Sequence, residues 1–144
     1  MSPAPERFFL DTNIFVYTFD SRSPSKRDRA NELVSTALDT RLGVVSYQVV
    51  QEFLNVATRK FAKPMRAAEA QLYMERVLMP LCEVFPDATL YSKTLALRDE
   101  TQLSFYDSLI VCSAVAADCR VLWSEDLQHS RRIRNLEIRN PFTR

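Results

Sequence analysis

The sequence predicts an α/β protein: a three-layer α/β/α sandwich around a central parallel sheet of four to five strands. Two observations carry this. Short apolar runs, at residues 8–10, 43–46, 81–85 and 121–124, are too brief for helices and read as buried strands. Each of the first three is followed by one or more longer stretches of helical period, and strands separated by helices pair in parallel because each crossover carries the helix. A third observation fixes the organisation. The 144 residues contain no linker, repeat or low-complexity stretch, so residues 1–144 read as one domain.

Taken in order, Phe8-Phe9-Leu10 forms the first strand and ends at Asp11. Residues 12–19 suit a short helix with Ile14, Phe15 and Tyr17 turned inward. Ser23-Pro24 is a helix start, Ser as cap and Pro in the first turn, for a helix reaching about residue 40. Ala30, Leu33, Val34, Ala37 and Leu38 give it one apolar face. After the strand at 43–46, Ser46 is placed to cap a helix whose buried stripe is Val49, Val50, Phe53, Leu54 and Ala57. Helix resumes over 65–78 and is expected to stop at Pro80. Asp87 caps a helix over about 88–101, and Ser104, with Asp107 three residues on, opens an almost wholly apolar helix to about 117, which should be central. Residues 136–138 suit a fifth strand at the sheet edge.

Composition narrows the chemistry. Hydrophobic residues make up 47% of the chain, enough for a core, and the formal net charge of +1 neither supports nor excludes a polyanionic partner. The basic residues Arg131, Arg132, Arg134, Arg139 and Arg144, and Lys26, Arg27 and Arg29, form two clusters readable as solvated faces or as a nucleic-acid patch. Cys82, Cys112 and Cys119 lack zinc-site spacing and sit among apolar residues as small core side chains, in keeping with a reducing compartment. No signal peptide is evident in residues 1–7, and no apolar run approaches the roughly 20 residues that cross a bilayer, so a cytoplasmic location without membrane association is expected. Gly43 is the sole glycine, which excludes glycine-rich phosphate loops. Phosphate chemistry, if present, must run through metal and side chains.

Four acids fall where such chemistry is built. Asp11 follows the first strand, Glu52 lies in the second turn of the helix after the second strand, Asp107 in the first turn of the central helix, and Asp126 just past the fourth strand. In a parallel sheet the carboxyl ends of the strands share one edge, where sites form. Carboxylates gathered there repel one another unless a cation neutralises them, and hard oxygen donors select Mg²⁺ or Mn²⁺. His129 is the only histidine, which argues against a zinc centre, and it reads as a surface residue. A carboxylate-held divalent ion suits phosphodiester hydrolysis by activated water, and no Ser-His-Asp or Cys-His arrangement competes. Thr12 and Asn13 can orient a carboxylate, Ser124 can position an acid or the water, and Glu125 stands ready to share the duty of Asp126.

Leu10-Asp11-Thr12-Asn13, Glu52 in the third helix, Ser104-Phe105-Tyr106-Asp107 and Leu122-Trp123-Ser124-Glu125-Asp126 together resemble the PIN-domain nucleases over nearly the whole chain. Size and the stretch Ser124 to Gln128 resemble the VapC-type toxins of that family. The resemblance implies Mg²⁺- or Mn²⁺-dependent cleavage of RNA, a homodimer, a cognate antitoxin, and a site of Asp11, Glu52, Asp107 and Asp126. Ser124 stands where the family's pattern often has threonine, and it keeps the hydroxyl. Leu72, Tyr73, Val77 and Met79 are candidates for a dimer or antitoxin surface, and Tyr17, Tyr47 and Tyr106 for base stacking, with core packing the competing role in each case. Two other readings stand beside the toxin: a housekeeping RNA-processing nuclease without an antitoxin, and a non-catalytic Mg²⁺-binding interaction module.

Overall fold

The structure, a computed structural model, describes residues 6–143; Arg144 and the first five residues lie outside it. The sheet is built from β1 (Phe8–Leu10), β2 (Gly43–Ser46), β3 (Cys82–Val84), β4 (Val121–Trp123), β5 (Arg132–Ile133) and β6 (Leu136–Arg139). The helices are α1 (Thr12–Tyr17), α2 (Pro24–Thr40), α3 (Tyr47–Arg59), α4 (Ala67–Tyr73), α5 (Met79–Leu81), α6 (Ala88–Thr101) and α7 (Phe105–Ala116). Strand order is β3-β2-β1-β4-β6-β5, parallel throughout except for the β5–β6 pair.

This order follows from the sequence. β1, β2 and β3 are laid down outward in one direction, and the chain then returns to place β4 on the other flank of β1. The gap between β1 and β4 is thus the switch point of the sheet, where a doubly wound fold opens a crevice beyond its strand ends. The register is Phe8 beside Val121, Phe9 beside Leu122 and Leu10 beside Trp123. One step further brings Asp11 beside Ser124, and the Asp11 amide donates to the Trp123 carbonyl at 3.0 Å.

The core is continuous across both faces of the sheet. Phe9, Leu10, Val44, Val45, Leu122 and Ile138 are buried on the strands, with Ile14, Phe15, Phe53 and Val111 closing on them from the helices. Gly43 serves packing. A Cβ there would stand 2.1 Å from Cβ of Ala37 and 2.8 Å from its Cα, so α2 lies directly against β2.

Several expectations need correction. Pro80 does not end the helical segment: α4 passes into a π turn, Met74–Leu78, and then α5, with Pro80 in its first turn. The Met79 amide donates to the Met74 carbonyl, five residues back. This wider turn takes the chain out of the α register in which the proline ring would strike the carbonyl four residues earlier. β5 was not legible and makes an antiparallel ribbon with β6 at the edge. β4 stops at Trp123, one residue short of the expected end, and α1 stops at Tyr17 rather than at residue 19. Ser23 and Ser46 occupy cap positions, but neither side chain makes a cap hydrogen bond. Asp87 and Ser104 do, accepting from the amides of Leu90 at 2.7 Å and Asp107 at 3.1 Å.

Cys112 and Cys119 are buried, Cys82 is half-buried, and all three are free thiols. Among the described residues no helix is long and apolar enough to cross a membrane. The basic clusters are largely paired with acids. Arg132 and Arg139 bind Glu137, Arg134 binds Glu100, Arg27 binds Asp28 and Arg29 binds Glu32, as expected of solvated faces. Tyr73, Val77 and Met79 pack against the core, which leaves Leu72 as the exposed member of that group. The His129 Nδ1 accepts from the Asn140 amide at 2.9 Å, in a loop.

Candidate active site

Asp11 is the N-cap of α1, at the carboxyl end of the central strand, and is only 7% exposed. Its Oδ1 accepts from the Thr12 amide at 2.8 Å and its Oδ2 from the Ser124 hydroxyl at 2.7 Å. Burial pushes its pKa from 3.8 up to about 6. The Ser124 and Thr12 hydrogen bonds oppose the rise, and the charges of Glu52 and Asp126 add to it. A carboxylate held desolvated and surrounded by like charge is a group that a cation would relieve.

Glu52 is drawn toward Asp11 by the neighbouring residue. The Thr12 hydroxyl donates to Oε2 of Glu52 at 2.9 Å, and the Gln48 amide nitrogen, one helical turn earlier, donates to Oε1 at 2.7 Å. The same nitrogen donates to the Tyr106 carbonyl at 3.3 Å, which ties α3 to the start of α7. Asp126 is held from α1: the Asn13 amide donates to its Oδ2 at 3.0 Å, and its own amide donates to the Ser124 hydroxyl oxygen at 3.2 Å. Asp11, Glu52 and Asp126 are therefore joined by Thr12, Asn13 and Ser124 into one network at the switch point.

Asp107 stands apart from this network. It lies in the first turn of α7, beside the Tyr106 carbonyl that Gln48 reaches, and its amide is capped by Ser104. Glu125 faces elsewhere. Its Oε1 accepts from the Tyr17 hydroxyl at 2.6 Å and its Oε2 from the Lys26 ammonium at 2.7 Å. Partial burial raises its pKa, but the Lys26 and Tyr17 bonds outweigh burial and hold the carboxyl below its usual range. Of the two adjacent acids, Asp126 belongs to the network and Glu125 to a separate ion pair. Tyr17 is thereby committed to Glu125 and to an edge contact with Phe142, while Tyr47 and Tyr106 remain exposed. Sequence reasoning missed Gln48; its spacing of four from Glu52 on a helix was the available signal.

A cavity of about 660 Å³ lined by Arg7, Glu83, Asp87, Lys93 and Asp118 contains none of these acids. The site is marked by its chemistry rather than by cavity size. Among the described residues no three His, Cys, Asp or Glu side chains stand close enough to hold an ion as they are. The donor set is nevertheless all carboxylate oxygen, and the raised pKa of Asp11 between two further acids fits a hard divalent cation.

The sequence profile of the PIN domain matches residues 8–134. The chain belongs to the PIN-domain family. The PIN fold seen here is shared with a toxin–antitoxin complex from Klebsiella pneumoniae, at 17% identity and a TM-score of 0.65, covering 93% of this chain and 97% of that one. It is shared with VapBC from Salmonella typhimurium bound to DNA, at 20% identity and a TM-score of 0.65, covering 95% and 99%. It is also shared with VapC20 of Mycobacterium tuberculosis, a sarcin-ricin loop cleaving toxin, at 18% identity and a TM-score of 0.58, covering 83% and 91%. Among curated protein sequences none matches significantly.

Proposed function

We infer that this PIN domain is a Mg²⁺- or Mn²⁺-dependent endoribonuclease, the toxin of a type II toxin–antitoxin pair, acting in the cytoplasm as a homodimer. The observation that carries the reading is the buried Asp11 carboxylate, raised to about 6, with Glu52 and Asp126 turned toward it by Thr12 and Asn13. The antitoxin is inferred from the toxin–antitoxin complexes that share the fold.

Asp11, Glu52 and Asp126 would hold the ion, and Asp107, outside their network, joins them as a fourth ligand on the family resemblance alone. When bound, a divalent cation supplies Lewis acidity that readies water for attack and takes up charge on the phosphate. The chain's own residues do the positioning. Ser124 and the Thr12 amide fix both oxygens of Asp11, Thr12 and Gln48 fix both oxygens of Glu52, and Asn13 fixes Asp126. Lys26 and Tyr17 keep Glu125 out of the cluster.

The test is cleavage of single-stranded RNA by purified protein, with EDTA and with Mg²⁺ or Mn²⁺ restored. Cleavage that stops on chelation and returns with the ion is expected; equal cleavage without metal would overturn the mechanism. Co-expression with the adjacent gene product separates the toxin from a housekeeping nuclease: only a toxin is silenced by it.

A further inference from the structure

Gln48 is only 8% exposed, and the nitrogen of its side-chain amide meets two acceptors at once. It donates to Glu52 Oε1 at 2.7 Å and to the Tyr106 carbonyl at 3.3 Å. These acceptors fix the orientation of the amide, because only the NH₂, with its two hydrogens, serves both. Few side chains could take this place. A carboxylate would repel Glu52, and an ammonium would cancel the negative charge that a cation needs there. An amide binds Glu52 and leaves its charge in place.

The second bond bears on Asp107. The Tyr106 carbonyl and the Asp107 N–H belong to one planar peptide unit, which also contains the Cα from which the Asp107 side chain springs. Both polar ends of that unit are held. Gln48 binds the oxygen, and the Ser104 hydroxyl oxygen accepts from the N–H at 3.1 Å. Asp11, Glu52 and Asp126 each have at least one carboxylate oxygen bonded within their network, whereas the Asp107 carboxylate takes part in none of those bonds. Among the described residues no three acids stand close enough to hold an ion as they are, so a side chain must move when one binds. Asp107 is the acid whose backbone is held and whose carboxylate is outside the network.

We propose that Gln48 is a positioning residue that couples Glu52 to Asp107, holding the Asp107 backbone beside the other acids so that rotation of the Asp107 side chain completes the ion site. The proposal rests on the metal-dependent reading of the site. Thr12 supplies the comparison. Its hydroxyl also binds Glu52, at 2.9 Å, but among the described residues it makes no bond to α7.

The experiment measures Mn²⁺ binding to the full chain by electron paramagnetic resonance, without RNA. It compares wild type, Gln48→Met, Thr12→Val, Asp107→Asn, and the two double variants that add Asp107→Asn to each of the first two. Gln48→Met should weaken binding roughly 10–100-fold. With Asp107→Asn already present, that factor should shrink by about threefold or more, while the factor for Thr12→Val should be the same in both backgrounds. Gln48→Asn keeps an amide but is one methylene shorter and does not span both acceptors, so it carries the same test should Gln48→Met fold poorly. An equal factor for the Gln48 variants in both backgrounds overturns the proposal, as does an equal shrinkage for Thr12→Val. A wild type that binds no Mn²⁺ overturns it too. Coupled Mn²⁺ binding by a wild type that cuts no RNA would keep the coupling and sink the nuclease reading. Metal-dependent RNA cleavage with uncoupled binding would do the reverse.

Discussion

The Ser124 hydroxyl donates to Oδ2 of Asp11 across 2.7 Å while its oxygen accepts the amide of Asp126, so one small side chain sets the spacing of two acids 115 positions apart in sequence (126 − 11). Ser124→Ala should leave the fold intact and reduce RNA cleavage by roughly 10–100-fold, as for other groups that orient metal-binding carboxylates. Cleavage rate against Mg²⁺ concentration checks this. The half-saturating concentration should rise in Ser124→Ala, and Ser124→Thr, which keeps the hydroxyl, should restore it.

Asp11 makes the metal-free protein less stable at neutral pH. Its folded pKa, about 6, lies above its ordinary 3.8, so the fold favours the protonated form. The stability that the protonated group lends is full below about 4 and is lost as pH rises through 6. The displacement corresponds to a penalty of at most about 3 kcal/mol above pH 6. Asp11→Asn, neutral at every pH, should therefore melt several degrees above wild type at pH 7.5 in EDTA, and the difference should shrink toward pH 4. A variant melting below wild type at pH 7.5, or a pH-independent difference, would contradict the buried-charge account.

The adjacent acids Glu125 and Asp126 should separate cleanly on mutation. Asp126→Asn should cost cleavage roughly 10–100-fold, whereas Glu125→Gln should leave the rate nearly unchanged. Its side-chain partners are Lys26 and Tyr17, outside the network around Asp11, and the bond its backbone amide donates to Asn13 Oδ1 survives the substitution. Parallel rate measurements at saturating Mg²⁺ decide the matter; a larger loss in Glu125→Gln reverses the assignment.

Gly43→Ala should destabilise the protein by about 1–3 kcal/mol or more, because the added methyl meets the Cα of Ala37 on α2 as well as its Cβ. Urea unfolding should show a lower midpoint with an unchanged slope.

The first three strands and the helices after them were legible because each of these strands is a short run of apolar residues followed by a helical period. β5 was not, since it is two residues long and only Ile133 is buried. The π turn was hidden because Pro80 reads as a stop, and only a change of hydrogen-bond register lets it stay helical. At the site, the positions of the acids relative to the strand ends were readable. The choice between Glu125 and Asp126 was not. What separates the two side chains is the bonding of Glu125 to Lys26 and Tyr17, which lie 99 and 108 residues before it and declare themselves only in three dimensions. Gln48 went unnoticed although its spacing of four from Glu52 on a helix was readable, because an uncharged amide stands out only when a partner for the carboxylate is sought.

The pairing of β1 with β4 has a consequence for how the molecule comes into being. Asp11, at the end of β1, and its hydroxyl partner Ser124, 113 residues on, meet only when β1 and β4 pair. A chain cut short before β4 holds Asp11 without Ser124 or Asp126. Whatever this centre does, it needs β1 and β4 side by side, and a piece of the chain that carries one without the other has only part of the site.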